Sequence, residues 1–134
     1  MSSSPLRFRV HNLDHARCAI GAARAAGRPV VLESPAAAAG WQGIGWWRRL
    51  RTALEAEFGP VALVLDCADA PGHALAALRD GCRAVRLAAP AATLQRVAAI
   101  ARAYGAALET TPAQAIDLLD AADPAAICRR ALGA

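Results

Sequence analysis

Short apolar runs alternate with longer segments of helical periodicity almost to the end of the chain. Leu6–Val10 reads as a first strand, and Asn12 or Asp14 can cap a helix running to about Ala26, where Gly27 stops it. Pro29–Glu33 is an apolar run of strand length, closed by Ser34-Pro35. After an Ala/Gly-rich loop, Trp46, Trp47, Leu50, Leu54 and Phe58 recur at helical spacing until Gly59-Pro60 breaks the pattern. Val61–Asp66, apolar until its terminal carboxylate, is the clearest strand. A helix over 71–79 follows, then a strand at Ala84–Leu87. Pro90 suits a first helical turn, and that helix runs to about Tyr104, with Gly105 as its stop signal. Ala106–Glu109 makes a short fifth strand. Thr111-Pro112 opens a predicted helix to about Ala121, and Asp123-Pro124 opens a last one to Leu132.

Strands that alternate strictly with helices and read as apolar throughout predict a parallel sheet covered by helices and joined by right-handed crossovers. Two architectures satisfy this. One is a five-stranded parallel (βα)5 sheet, curled like half a TIM barrel, with helices outside and two C-terminal helices. The other is a doubly wound three-layer α/β sandwich. Either is a single domain over 1–134, with βα units over 5–110 and a helical cap over 112–134. Periodicity does not choose between them.

Composition narrows the chemistry. All 15 basic residues are arginine, so Schiff-base chemistry and a lysine base are excluded. A net charge of +4, with 11 acidic residues interspersed, fits a solvated surface rather than the clustered stripe of a nucleic-acid binder. Only Arg48, Arg49 and Arg51 cluster. Cys18, Cys67, Cys82 and Cys128 form no Cys-x-x-Cys pair or zinc-finger spacing and read as reduced thiols of a cytoplasmic protein. The polar start and the lack of a long apolar run predict neither a secretion signal nor a membrane span.

In parallel α/β folds ligands bind at the carboxyl ends of strands. The residues expected there as ligand contacts are His11, Asn12, Ser34, Asp69 and His73, together with Glu33 and Cys67. Asp66 and Glu109 are the candidates for catalysis, Asp66 as a general base; its alternative role is capping the following helix. Cys67 is either a nucleophile or a buried structural thiol. A metal site drawing on Cys67 and His73 has no diagnostic spacing, and no metal or cofactor is expected. His15 is expected at the surface. Trp41, Trp46 and Trp47 precede Arg48 and Arg49 in a chain with only 4% aromatics, which marks a partner surface or a lip over the sheet. Adjacent tryptophans cannot both face the core, so at least one should be partly exposed.

Several segments, in order, resemble the class II (metal-dependent) fructose-bisphosphate aldolase family. They are Val10–Asp14, Gly27–Ser34, Pro60–Cys67, Ala74–Leu87 and Tyr104–Glu109. The resemblance implies the N-terminal half of an aldolase barrel, favouring the half barrel, with Asp66 at the family's proton-transfer position and Glu109 at the first of two glutamates. It also implies a degenerate metal site. Cys67 stands where a zinc histidine is expected, Thr111 stands at the second glutamate, and Ala88-Ala89-Pro90 replaces the family's Asp-Gly-Ser after the fourth strand. Class II aldolase activity is therefore not expected.

The leading expectation is a non-catalytic half barrel used for binding or assembly, covered at its open edge and apolar concave face by the C-terminal helices or by a second copy in a homodimer. A protein partner at Trp41–Arg49 is compatible with this. One alternative is a small lyase or isomerase acting on a phosphorylated or carboxylated metabolite, with Asp66 as base and Arg86 or Arg9 as anion clamp. Another is a nucleic-acid or membrane-surface protein using the Trp/Arg segment.

Overall fold

Every strand foreseen in the alternation forms, and all of them pair in parallel. The computed structural model describes residues 5–112 and 114–133. In chain order the elements are β1 (Leu6–Arg9), α1 (Leu13–Ala26), β2 (Val30–Glu33), α2 (Ile44–Phe58), β3 (Ala62–Asp66), α3 (Pro71–Arg79), β4 (Ala84–Arg86), α4 (Ala91–Ala103), β5 (Ala107–Glu109), β6 (Ile116–Asp117) and α5 (Pro124–Leu132). A π-helical turn, Ala39–Gly43, leads into α2.

Local chemistry sets the boundaries. Asn12 rather than Asp14 caps α1, its side chain accepting from the His15 N–H at 2.8 Å. Gly27 ends that helix at φ 64°, a left-handed conformation that glycine adopts without steric cost. Asp123 caps α5 with Pro124 in its first turn.

The C-terminal helical cap is corrected in part. The helix expected from Thr111-Pro112 to about Ala121 does not form over its described residues; residue 113 lies outside them. Ile116–Asp117 pairs with β1 as a sixth strand, Phe8 level with Ile116 and Arg9 with Asp117. The residues alternate: Leu118 is fully buried while Asp117 faces the acid–base cluster of the sheet, a period of two rather than of a helix. Only α5 remains as a C-terminal helix, and it packs against α1.

The strand order is β5-β4-β3-β2-β1-β6. From β1 to β5 each connection steps one strand in the same direction, so right-handed crossovers put α1 to α4 on one face. On that face Phe8, Leu32, Leu65 and Val85 are fully buried. On the other, Ala62 and Ala107 are exposed. A doubly wound sheet would cover both.

The sheet also curls. In a flat sheet β1 and β5 would lie about 19 Å apart, four strand spacings. Yet Arg7 of β1 hydrogen-bonds Glu109 of β5 at 3.0 and 2.8 Å, which an arginine and a glutamate can do only if the sheet bends back on itself. Placing β6 beside β1 continues the circuit in the same sense. The result is a partial barrel, open between β5 and β6.

Candidate functional site

Strand register decides what faces the hollow of this barrel. Arg7, Val31 and Ala62 stand side by side, as do Arg9, Glu33 and Val64, and Asp66, Arg86 and Glu109. Side chains alternate across a strand, so these residues and Asp117 share the concave face. Arg7 is level with Ala62, whereas Glu109 is level with Asp66, four residues further along β3. In a barrel the register shifts by about one residue per strand. Over four strand steps that shift brings Arg7 and Glu109 to one height.

There they form a closed ring of alternating charge. Arg86 donates to both Glu33 oxygens at 3.0 and 2.8 Å and to Glu109 at 2.9 Å. Arg7 donates to Glu33 at 3.1 Å and to both Glu109 oxygens. Glu33 is 1% exposed, so an unpaired charge there would be costly; a bidentate contact from Arg86 and a single hydrogen bond from Arg7 offset its desolvation. Burial alone would raise the Glu33 carboxyl, but the hydrogen bonds from Arg86 and Arg7 outweigh it and hold it below the usual carboxylate value. Glu109 shows the same balance, with Arg7 and then Arg86 lowering it. The Glu33 and Glu109 hydrogen bonds raise the Arg86 guanidinium above its ordinary value. The expected apolar concave face is corrected accordingly: small apolar residues line its lower part, and ion pairs fill the level above.

Asp66 is held differently. Its carboxylate accepts from the Ala68 N–H at 2.9 Å and from the Ala37 N–H at 3.2 Å, one oxygen each. Its own N–H donates to the Ser34 hydroxyl at 2.9 Å, and that hydroxyl donates to the Pro35 carbonyl. Ala37 and Ala68 are the non-glycine residues at positive φ, 57° and 51°, among those described. One carboxylate thus pins two strained loops, after β2 and after β3. The capping role expected for Asp66 is corrected: the N-cap of α3 is Ala70, with no side-chain cap hydrogen bond, and Asp66 bridges loops instead.

Two cavities open beside this clamp. One, of about 230 Å³, lies at the mouth of the barrel and is lined by Arg9, Asp66, Ala68, Arg86, Leu87 and Thr110, among others. Arg9 approaches Glu33 at 3.8 Å and Asp117 at 3.9 Å, beyond hydrogen-bond reach, and its buried Nε has no partner among the described residues. The Nε of Arg86, whose side chain is 10% exposed, is likewise unpartnered. The second cavity, of about 310 Å³, lies between the two pinned loops, with Ala37, Gly40 and Trp41 on one side and Ala68, Asp69 and His73 on the other.

The other expected residues fall into distinct places. His11 pairs with Asp117 through Nε2 at 2.7 Å, and its N–H donates to Nδ1 of His15. His15 is buried, against the expectation of a surface residue; burial first, then the neighbouring His11, lowers its pKa. Asn12 and Ser34 are committed to the cap and the loop clamp, whereas Asp69 and His73 line the second cavity. Cys67 is buried and its thiol is pushed up to about 12, chiefly by burial, which removes it as a nucleophile. Among the described residues no three His, Cys, Asp or Glu side chains gather closely enough to hold a metal ion.

The Trp/Arg segment divides. Trp47 is 1% exposed and belongs to the core, so it drops out of any partner surface; Trp46 is half-buried and Trp41 is 84% exposed. The turn before α2 rotates Trp41 away from the helix face that buries Trp47, Leu50 and Leu54. Arg48 pairs with Asp80 at 2.6 Å, while Arg49 is exposed.

Sequence reasoning missed Arg7, Asp117 and the paired alanines. The signal for Arg7 was present: Arg7 and Arg9 alternate with Leu6 and Phe8, a two-sided strand rather than an apolar one. Among the described residues no helix is long and apolar enough to cross a membrane. Compared with known proteins, the chain matches no protein-family model and no curated protein.

Proposed function

We propose that this chain is a non-catalytic binding module, an aldolase-like half barrel whose mouth receives a small anion. The observation that carries this reading is Arg9: a guanidinium that makes no hydrogen bond among the described residues, lining a cavity at the strand ends beside Arg86. The buried Nε is closed to a ligand, but the two outer nitrogens of Arg9, 3.8 Å from Glu33 and 3.9 Å from Asp117 on a side chain 29% exposed, are donors that a ligand in the cavity can complete. A carboxylate or phosphate oxygen has the matching chemistry.

The same geometry weighs against the lyase or isomerase alternative. A general base needs a free lone pair and a pKa near the operating pH. Asp66 accepts one hydrogen bond on each oxygen and is thereby tied to the two loops it joins, and Glu33 and Glu109 are held below the ordinary carboxylate range by arginines. Four free cysteines support a reducing compartment such as the cytoplasm. Titration calorimetry with inorganic phosphate and with acetate tests the proposal. Binding in the millimolar range or tighter, lost in Arg9→Gln, is expected; no heat with either anion would overturn it.

A second reading, assembly as a homodimer, draws on one observation. Among the described residues, strands β5 and β6 each leave one edge without a partner strand, and unpaired edges invite pairing with another chain. Sedimentation equilibrium decides it: a monomer at high concentration removes this reading.

A further inference from the structure

The two cavities share a wall. Ala68 lines both, and its N–H is fixed on the Asp66 carboxylate, which also fixes Ala37 on the far side of the second cavity. That second cavity has a different chemistry from the mouth. Trp41 offers an exposed indole face at its rim, while Asp69 and His73 supply polar groups in otherwise apolar surroundings. The indole is set there by a π-helical turn, a rare local structure that recurs at functional sites. Gly40 packs so closely on His73 that a Cβ would sit 3.0 Å from the imidazole Cε1, so the lip and the α3 side of the cavity are fitted to each other.

We propose that the two cavities take the two ends of one ligand: an amino-bearing planar heterocycle over Trp41 and a phosphate at Arg9, as in a nucleoside monophosphate. The anionic end rests on the reading of the mouth given above; the heterocyclic end rests on Trp41, Asp69 and the shared wall. Taken singly, cavities of about 230 and 310 Å³ are at or below the lower end of metabolite sites, and joined over Ala68 they fall within that range. A planar ring stacks on an indole with little dependence on its identity. An exocyclic amine then has the Asp69 carboxylate as acceptor, which favours an aminopurine over a ring without donors.

The test is titration of the full chain with inorganic phosphate, adenosine and AMP, by calorimetry and tryptophan fluorescence. AMP should bind at least about tenfold tighter than either half, because linking two groups makes the second contact intramolecular. Trp41→Ala should weaken AMP about tenfold and leave phosphate unchanged. Asp69→Asn should weaken AMP alone, and Arg9→Gln should weaken AMP and phosphate together. Since Trp41 and Asp69 are exposed, Trp41→Ala and Asp69→Asn should keep the parent melting temperature. If phosphate binds but AMP is no tighter and ignores Trp41→Ala, the two-ended ligand is overturned while the anion site stands. If neither phosphate nor AMP binds, both readings fall.

Discussion

Arg7 on β1 and Glu109 on β5 share hydrogen bonds of 3.0 and 2.8 Å although three strands separate them in the sheet. The contact is a consequence of curvature and also a clasp on it. Arg86 and Glu33, on β4 and β2, close the ring between them, so four strands are tied through charge. A flat sheet could not satisfy these groups, and burying Glu33 without them would be prohibitive.

Removing one member should therefore cost more than removing a pair. Glu33→Ala leaves Arg86 deep in the hollow without its bidentate acceptor and should destabilise by about 3–5 kcal/mol. Glu33→Leu combined with Arg86→Met keeps the Arg7–Glu109 contact and should recover most of that loss, because apolar replacement of a whole buried pair is often neutral. Urea unfolding of the three proteins checks it. Equal losses in the single and double variants would show that the pair, not the unpaired charge, sets the stability.

Acid should lower the stability of the protein over two pH ranges. The folded His15 pKa is depressed, so its neutral form contributes stability that begins to fall as pH drops below its unfolded value of about 6.5. Glu33 and Glu109 are also depressed, so their contribution holds above about pH 4.3 and is lost as pH falls further through their folded values. Thermal midpoints measured from pH 7 to pH 3 should show both falls. His15→Gln should remove the first, and Glu33→Gln should diminish the second.

The loop clamp predicts opposite signs for neighbouring residues. Asp66→Asn removes one acceptor and leaves an amide N–H in the loop unsatisfied, at about 1–3 kcal/mol. Ala68→Gly relieves a left-handed alanine at φ 51° and should stabilise by up to about 1 kcal/mol, net of the added freedom of the unfolded chain. Denaturant midpoints measure both. A destabilising Ala68→Gly would mean that the alanine methyl contributes more by packing than its backbone strain costs.

The tryptophans should differ sharply. Trp47→Ala empties a fully packed core position and should cost about 3–5 kcal/mol. Trp41→Ala changes only an exposed lip and should stay within about 0.5 kcal/mol. Chemical denaturation of both variants gives the comparison directly.

Thiol labelling gives a simple check on the core. Cys67, Cys82 and Cys128 are buried, with Cys67 pushed up to about 12 and Cys128 to about 11, each chiefly by burial. In native buffer at pH 8, iodoacetamide should label Cys18 first and leave the other three until denaturant is added. Rapid native labelling of Cys67, read by peptide mass, would contradict its place beneath the loop clamp.

What the sequence determined by itself is the alternation. Apolar runs bounded by Gly, Pro and Asn signals located β1 to β5, α1 to α4 and α5, because side-chain period and capping chemistry act over a few residues. It also marked Glu33, Asp66 and Glu109 as residues at strand ends, named Arg9 or Arg86 as a possible anion clamp, and required at least one of the clustered tryptophans to be partly exposed. Ile116–Asp117 escaped because a two-residue strand has too little periodicity to show; it exists only because β1 offers an open edge. The tertiary structure alone decided that the sheet curls, since curvature depends on contacts such as Arg7 with Glu109 across 102 residues of chain. It likewise decided that Asp66 is a clamp: a carboxylate's role is fixed by which N–H groups reach it, and Ala37 arrives from 29 residues away. Local pattern selects elements, whereas pairing between distant charges selects how they close and which side chains are left open to a ligand.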